Sequence, residues 1–299
     1  MNNFWQKAGV VSAGGTVSTI TGTTPIWLGT EAGIFLRDND DSWRPLPQGQ
    51  PLPQLSALAG HDQILLAGNN QGQIVYSRNG GTRWYQGVIN NVAAPISWIT
   101  MAPNFAEHGL ALAGTGGAGI LRTTDGGKTW QTASFGLQDF SKLALATPPE
   151  WGRREVVFAA SEGAFYRSIN GGRAWKPSNS GLDGAVVQAI AVSPNFENDK
   201  TVFVGTETYG VFRSHNGGRN WEPCNQGIPP SDDDELPPVN AIWLHPDFGA
   251  TLGCVVATGD GRLFCSNVGG DRWQQASAPD AAFLCLGGNA ERLYAGSFN

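Results

Sequence analysis

An eight-residue pattern recurs along the chain with constant internal spacing. Its fullest form is Ser214-His215-Asn216-Gly217-Gly218-Arg219-Asn220-Trp221. Clear copies run from Ser77 to Trp84, Thr123 to Trp130, Ser168 to Trp175 and Ser266 to Trp273. A worn copy, Leu36 to Trp43, keeps an acid at its third position, Asp38, and Trp at its eighth. The position-eight Trp residues of successive copies stand 41 to 52 residues apart. Propellers and helical arrays share such a period and differ in hydrophobic patterning. Here the apolar runs alternate or are short and β-branched, as in Thr201-Val202-Phe203-Val204-Gly205, and no 3.6-residue stripe is sustained. The expected fold class is therefore all-β, a β-propeller with four strands per repeat. With 41 Gly, 11 Trp and only 15% charged residues, the composition suits short strands and tight turns rather than a helical or disordered chain.

Counting strand types gives seven candidates for the first strand (A) and for the second (B) of a blade, but six octads. The spacing predicts one domain over 1–299, with blades near 15–46, 53–88, 95–134, 141–178, 186–224 and 238–276. Residues 281–299 plus 1–8 form a seventh, closed by pairing of the N- and C-terminal strands. Six blades is the alternative.

The octad has a local physical logic. Asn or Asp at position three (Asp38, Asn79, Asp125, Asn170, Asn216) can accept hydrogen bonds from main-chain N–H groups of a hairpin. The glycine pair allows positive φ. Trp at position eight (Trp43, Trp84, Trp130, Trp175, Trp221, Trp273) carries apolar surface toward a neighbouring blade and has an indole N–H to place. These residues are read as structural. Val268 departs from the pattern at position three; in the first copy Leu36, Asn39 and Asp40 depart at positions one, four and five. The pattern S-x-[DN]-G-G-x-x-W resembles the Asp-box, or BNR, repeat across essentially the whole chain. Proteins with this repeat include sialidases, xyloglucanase-type glycoside hydrolases, sortilin-like receptors and a photosystem II assembly factor. The resemblance implies a propeller, not one activity.

No reacting constellation stands out. A sialidase would carry an early Arg-Ile-Pro motif and an arginine triad; the motif is missing, and Arg122, Arg167 and Arg213 recur at one repeat position. Tyr76 and Tyr166 read as equivalent packing positions on the third strand (C). Xyloglucanase-type enzymes resemble two facing propellers, and this chain has length for one. His61, His108, His215 and His245 lack metal spacing. The expectation is a non-enzyme with no cofactor, catalytic residue or metal.

A net charge of −6 without a basic run argues against nucleic acid. The N-terminal residues lack the pattern of a secretory leader, and no apolar run approaches membrane-helix length. A cytoplasmic protein is expected, with Cys224, Cys254, Cys265 and Cys285 as buried thiols. Were Gly259-Asp260 a two-residue turn, Cys254 would face Cys265, leaving a cross-strand disulfide open in an oxidising setting.

In a propeller the B–C and D–A loops share one face. Here they carry Glu31, Asp139, Glu162, Asp183, Glu207, Asp260 and Asp280. The other face carries Arg83, Lys128, Arg173, Arg219 and Arg272 in the octads, mixed with acids. The longest connection, Asn225 to Pro238, holds four prolines and the run Asp232-Asp233-Asp234-Glu235. Glu207, Tyr209, Asp232, Asp233, Asp234, Glu235 and Asp260 are the candidate partner-binding residues. The expected function is a scaffold, adaptor or assembly factor that binds one or more proteins. Carbohydrate binding or hydrolysis, and an accessory subunit of a larger complex or defence system, are the alternatives.

Overall fold

The structure is a computed structural model. It describes residues 16–22, 25–37, 42–46, 52–90, 94–141, 143–153, 155–230, 235–278 and 281–297. The chain is an all-β propeller. Blade one comprises Val17–Thr21, Trp27–Thr30, Gly33–Arg37 and Trp43–Pro45. Blade two comprises Leu55–His61, Ile64–Asn69, Ile74–Ser77 and Tyr85–Gln86. Blade three comprises Ile96–Met101, Ala111–Thr115, Ile120–Thr123 and Thr129–Thr132, with Val88–Ile89 added in parallel at its outer edge. Blade four comprises Ala144–Ala146, Val157–Ala160, Phe165–Ser168 and Lys176–Pro177. Blade five comprises Val187–Val192, Val202–Thr206, Val211–Ser214 and Glu222–Pro223, and blade six Val239–Leu244, Cys254–Thr258, Leu263–Ser266 and Gln274–Ala276. Within each blade the strands lie in chain order, antiparallel.

The complete blades number six among the described residues, which matches the alternative count and corrects the expectation of seven. After blade six comes a two-stranded sheet, Phe283–Gly288 with Leu293–Ser297. The first strand of blade one packs between this sheet and the first strand of blade two, so the ring closes there. Residues 1–8, expected to join the last sheet, lie outside the described residues.

Packing explains the pattern of burial. Each B strand is covered on both faces by neighbouring sheets, so Ala111–Thr115, Val202–Thr206 and Cys254–Thr258 are buried throughout, whereas outer strands such as Glu222–Pro223 are exposed. The core is accordingly a series of inter-blade layers. One holds Phe158, Phe165, Val204, Phe212 and Trp221 between blades four and five, the next Phe203, Val211, Val256, Phe264 and Trp273. Glycine is the penultimate residue of several B strands because the next blade comes close: a Cβ on Gly68 would lie 2.6 Å from Ile96, and one on Gly205 2.5 Å from Val239.

A second ring of polar contacts lines the inner strands. Most A strands change register near their start, between Leu55 and Ala57, Ile96 and Trp98, and Val239 and Ala241. The residue freed by the irregularity bonds to the next blade. Ser56 donates to the Ile96 carbonyl (2.7 Å), Ser97 to Leu143 (2.8 Å) and Asn240 to Phe283 (2.9 Å).

The cysteine pairing expected from a two-residue turn is corrected. Thr258 N bonds the Arg262 carbonyl across a three-residue loop with Gly261 at φ +83°. Cys254 therefore faces Ser266, and Cys265 faces Val255. The extra loop residue turns the two thiols to opposite sides of the sheet. All four cysteines are free.

Candidate protein-binding face

The octad hairpins form as the residue chemistry requires. The position-one hydroxyl accepts from the fifth-position N–H: Ser77 from Gly81 (2.9 Å), Thr123 from Gly127 (3.1 Å), Ser214 from Gly218 (2.9 Å). The position-three oxygen takes N–H groups further on. Asn216 Oδ1 accepts from Arg219 (3.1 Å) and Asn220 (3.0 Å), Asn170 from Arg173 and Ala174, Asp125 from Lys128 and Thr129, and Asn79 from Arg83. The first glycine N–H then bonds the preceding A–B loop, as Gly217 does to Lys200 O (2.9 Å) and Gly126 to Gly109 O (3.1 Å). This places the octads and A–B loops together on one face. Asp38 lies outside the described residues.

The tryptophans clamp consecutive blades. Trp175 Nε1 donates to Ala133 O (2.8 Å), Trp221 to Ser178 O (3.0 Å) and Trp273 to Cys224 O (2.7 Å), each in the blade before. Their backbone N–H groups bond the same connectors, at Phe135, Ser180 and Gln226. Trp130 instead bonds Gly127 O in its own octad (3.1 Å). Trp84 Nε1 is buried without an acceptor among the described residues. Trp43 meets Tyr294 of the last sheet edge-on at 5.7 Å. These roles are structural.

The opposite face is built by B–C turns and D–A connectors. Glu207 N bonds Val186 O (3.0 Å), Gly116 N bonds Pro95 O (2.8 Å) and Gly259 N bonds Pro238 O (2.7 Å). Each B–C turn is closed by the last polar residue of its B strand. Thr206 Oγ1 donates to Gly210 O (2.8 Å) and accepts from Tyr209 N (3.1 Å); Thr115 Oγ1 does the same with Gly119 O and Ala118 N. This second side-chain-closed turn escaped the sequence reading, although Thr, Ser or Asn ends or directly follows every such strand in the six blades.

Three candidate residues come together in blade five. The long connection folds back over the B–C turn: Leu236 N bonds Thr208 O (3.2 Å) and Asn225 Nδ2 bonds Tyr209 O (3.1 Å). Glu235 is thereby brought beside the turn carrying Glu207 and Tyr209, the latter 52% exposed. Asp232, Asp233 and Asp234 lie outside the described residues. Asp260 is set differently. It ion-pairs with Arg262 and accepts from Thr258 Oγ1 (2.6 Å); although burial opposes ionisation, these bonds hold its carboxyl below the usual range. Its charge is largely spent inside its own turn. Asp139 is also committed. Burial would raise its pKa, but donors from Ser141, Ser161 and Gly163 outweigh that and bring it to about 2.

The face remains acidic. Its described loops carry Glu31, Asp139, Glu162, Asp183, Glu207, Glu235 and Asp260, and Arg262 is their only basic residue. Among the described residues no His, Cys, Asp and Glu grouping could hold a metal, and no helix is long and apolar enough to cross a membrane.

Two clefts lie on the octad side. One, about 270 Å³, is lined by Tyr76, Arg78, Tyr85 and Lys128, with the tyrosines stacked at 5.4 Å. Here the equivalence of Tyr76 and Tyr166 is corrected. Tyr76 immediately precedes its octad and points into this cleft; Tyr166 stands two residues before its own and is fully buried, its hydroxyl accepting from Gln138 N and Asp139 N. One residue of offset on a strand reverses the side chain. The second cleft, about 190 Å³, lies between blades three and four beside Arg122, Trp151 and Arg173.

The BNR/Asp-box repeat family model matches residues 121–132, the third octad with its flanks. Comparison with curated proteins gives no sequence match. Among solved structures, YCF48 bound to D1 peptide is similar, with 16% identity, TM-score 0.70, and coverage of 96% of this chain and 91% of that one. YCF48 from Cyanidioschyzon merolae aligns at 13% identity and TM-score 0.69, over 99% and 96%. The GH74 xyloglucanase from Xanthomonas campestris gives 14% identity and TM-score 0.76 over 98% of this chain, which spans only 52% of the enzyme. At these identities the likeness is one of fold. The chain is a β-propeller bearing the BNR/Asp-box repeat.

Proposed function

We propose that this propeller is a non-catalytic scaffold that docks a protein partner on its acidic face, as an adaptor or assembly factor. The observation that supports this most is the blade-five corner. An exposed tyrosine, Tyr209, stands on a hydroxyl-braced turn that also carries Glu207, and the bond from Leu236 N to Thr208 O brings the segment of Glu235 beside it. Rigid exposed tyrosines flanked by charge are characteristic contact residues. Among the described residues of the face the single basic one, Arg262, is paired with Asp260, so the field they offer a partner is negative and selects a basic surface. One fold neighbour is described as bound to a peptide, in keeping with the use of a propeller of this kind as a docking platform. The cytoplasm is the proposed compartment.

The test is co-purification with the full chain, followed by Tyr209→Ala and Glu207→Lys. Both variants should fold normally and weaken capture, Tyr209→Ala by roughly tenfold or more if it is an anchor residue. A partner retained by both variants but lost on changing octad residues would overturn the assignment of the face. Turnover of a glycoside panel, abolished by Glu207→Gln, would replace the scaffold reading with a hydrolytic one.

A further inference from the structure

The repeats of this molecule act as internal controls for one another, and among the longer A–B loops of blades three to six that of blade four differs. Blades three, five and six anchor that loop with a buried phenylalanine at the start of a short helix: Phe105–His108, Phe196–Asp199 and Phe248–Thr251. Blade four carries Pro148-Pro149-Glu150-Trp151 instead. Trp151 N bonds Pro148 O (3.0 Å) as Phe105 N bonds Ala102 O (2.9 Å) and Phe196 N bonds Ser193 O (3.1 Å). Trp151 thus occupies the phenylalanine position and is 1% exposed. For apolar anchoring alone the indole nitrogen is superfluous. Its Nε1 is buried without an acceptor among the described residues, a costly state for a donor.

Trp151 lines the cleft between blades three and four, and two guanidinium groups share that lining. Arg122 Nε bonds the Gly171 carbonyl (3.1 Å), which fixes the side chain, while neither of its Nη groups has an acceptor among the described residues. Arg173 reaches Glu155 (3.0 Å) and Asn170 O (2.8 Å) through one nitrogen, Nη1. Burial lowers the pKa of Arg122, nearby Arg173 lowers it further, and Glu155 offsets only part of this. His108 also borders the cleft, paired at 3.8 Å with Glu107 when protonated. Cationic donors therefore outnumber the one carboxylate in the lining, that of Glu155.

We propose that this cleft is a binding site for a small oxyanion, phosphate or carboxylate, held by Arg122 and Arg173 and by the indole N–H of Trp151. A planar guanidinium presents paired N–H donors that match either group, and about 190 Å³ accommodates a small anion with ordered water. The site faces the octad side, away from the acidic face, and does not depend on the docking role.

The experiment is a titration of the full-length chain with inorganic phosphate and, separately, with malonate. Ionic strength is held constant with chloride, and indole N–H resonances are followed by NMR. The Trp151 signal is assigned by its loss in Trp151→Phe, a substitution that reproduces the residue of the sister blades. A saturable shift of that signal with either anion is expected; phosphate alone or malonate alone identifies the ligand class. Arg122→Gln should raise the Kd roughly ten- to a hundredfold, the loss of a charge-assisted contact. If Arg122→Gln fails to fold, anion-induced stabilisation is compared between the wild-type chain and Trp151→Phe, which should show less. No saturable shift, an equal shift with chloride, or unchanged affinity in Arg122→Gln would overturn the site. Equal anion stabilisation of wild type and Trp151→Phe would overturn it as well.

Discussion

At the scale of single residues, position three of the octad separates one blade from its sisters. Asn216 Oδ1 gathers two backbone N–H groups, whereas in blade six Val268 offers no acceptor and Asp271 N bonds the Val268 carbonyl at 3.2 Å instead. The other arm of the turn survives, since Ser266 Oγ still accepts from Gly270 N (3.0 Å). Val268 is 48% exposed, so its replacement forfeits little packing. Val268→Asn should therefore stabilise the fold by about 1 kcal/mol, the usual worth of a side-chain cap on free N–H groups, read as a raised denaturation midpoint at unchanged m-value. Asp139 supplies a pH test. Its carboxyl is held at about 2 in the folded chain against an ordinary 3.8. A depressed folded pKa contributes stability that is present above about pH 4 and lost as pH falls toward 2. Solvent screening limits this to about 1 kcal/mol. Asp139→Asn should unfold more easily at pH 7, and its disadvantage should shrink in acid, so the two stability curves converge near pH 2.

At the scale of elements, the joint between blades is a glycine on one blade and a tryptophan on the next. Gly136, Gly181 and Gly227 sit in the D–A connectors at φ +90°, +92° and +97°, and a Cβ on each would collide with the carbonyl oxygen of Trp175, Trp221 or Trp273. Gly184 has a similar φ, +85°, but open space around it. Gly227→Ala should cost about 3 kcal/mol, combining backbone strain with the clash, while Gly184→Ala should cost only about 1 kcal/mol, the strain alone. Equal losses in chemical denaturation would show that the carbonyl contact is unimportant. This pairing also shows what a sequence conveys. The octad turn was legible because acceptor, glycines and N–H donors lie within eight residues. The connector glycines were not, because the atom that demands each of them is some 40 residues away. Loop chemistry failed similarly at small offsets. One extra residue in the turn at Gly259–Gly261 moved Cys254 away from Cys265, and Arg262, two residues beyond Asp260, removed that acid from the open face. Glu207, Tyr209 and Glu235 were recognisable as loop residues, but their meeting depends on Leu236 bonding back to Thr208.

For the whole molecule, the seam between the last sheet and blade one decides how the ring holds together. A closed ring has no exposed sheet face, whereas an opened one uncovers apolar surface on both sides of the break. On the inner strands the seam is tight. A Cβ on Gly287 would lie 2.6 Å from Ile20, and Cys285 Sγ is 3.7 Å from the Val17 carbonyl, with burial pushing this thiol up to about 12. Further out, Tyr294 carries the contact, meeting Trp43 edge-on at 5.7 Å and lying under the Arg37 guanidinium at 4.8 Å. Its hydroxyl is buried without a partner among the described residues, so the ring and not the oxygen supplies the attraction. Tyr294→Phe should leave stability within about 0.5 kcal/mol of the wild type, while Tyr294→Ala should lose about 3 kcal/mol through the cavity it leaves. If the seam is where the ring opens, that loss falls unevenly. Hydrogen exchange in Tyr294→Ala should accelerate first in Val17–Thr21 and Phe283–Gly288, with Val202–Thr206 in blade five keeping its protection. Uniform acceleration through all sheets would instead mean that the propeller opens as a single cooperative unit and that closure at Tyr294 is no weaker than any inter-blade joint.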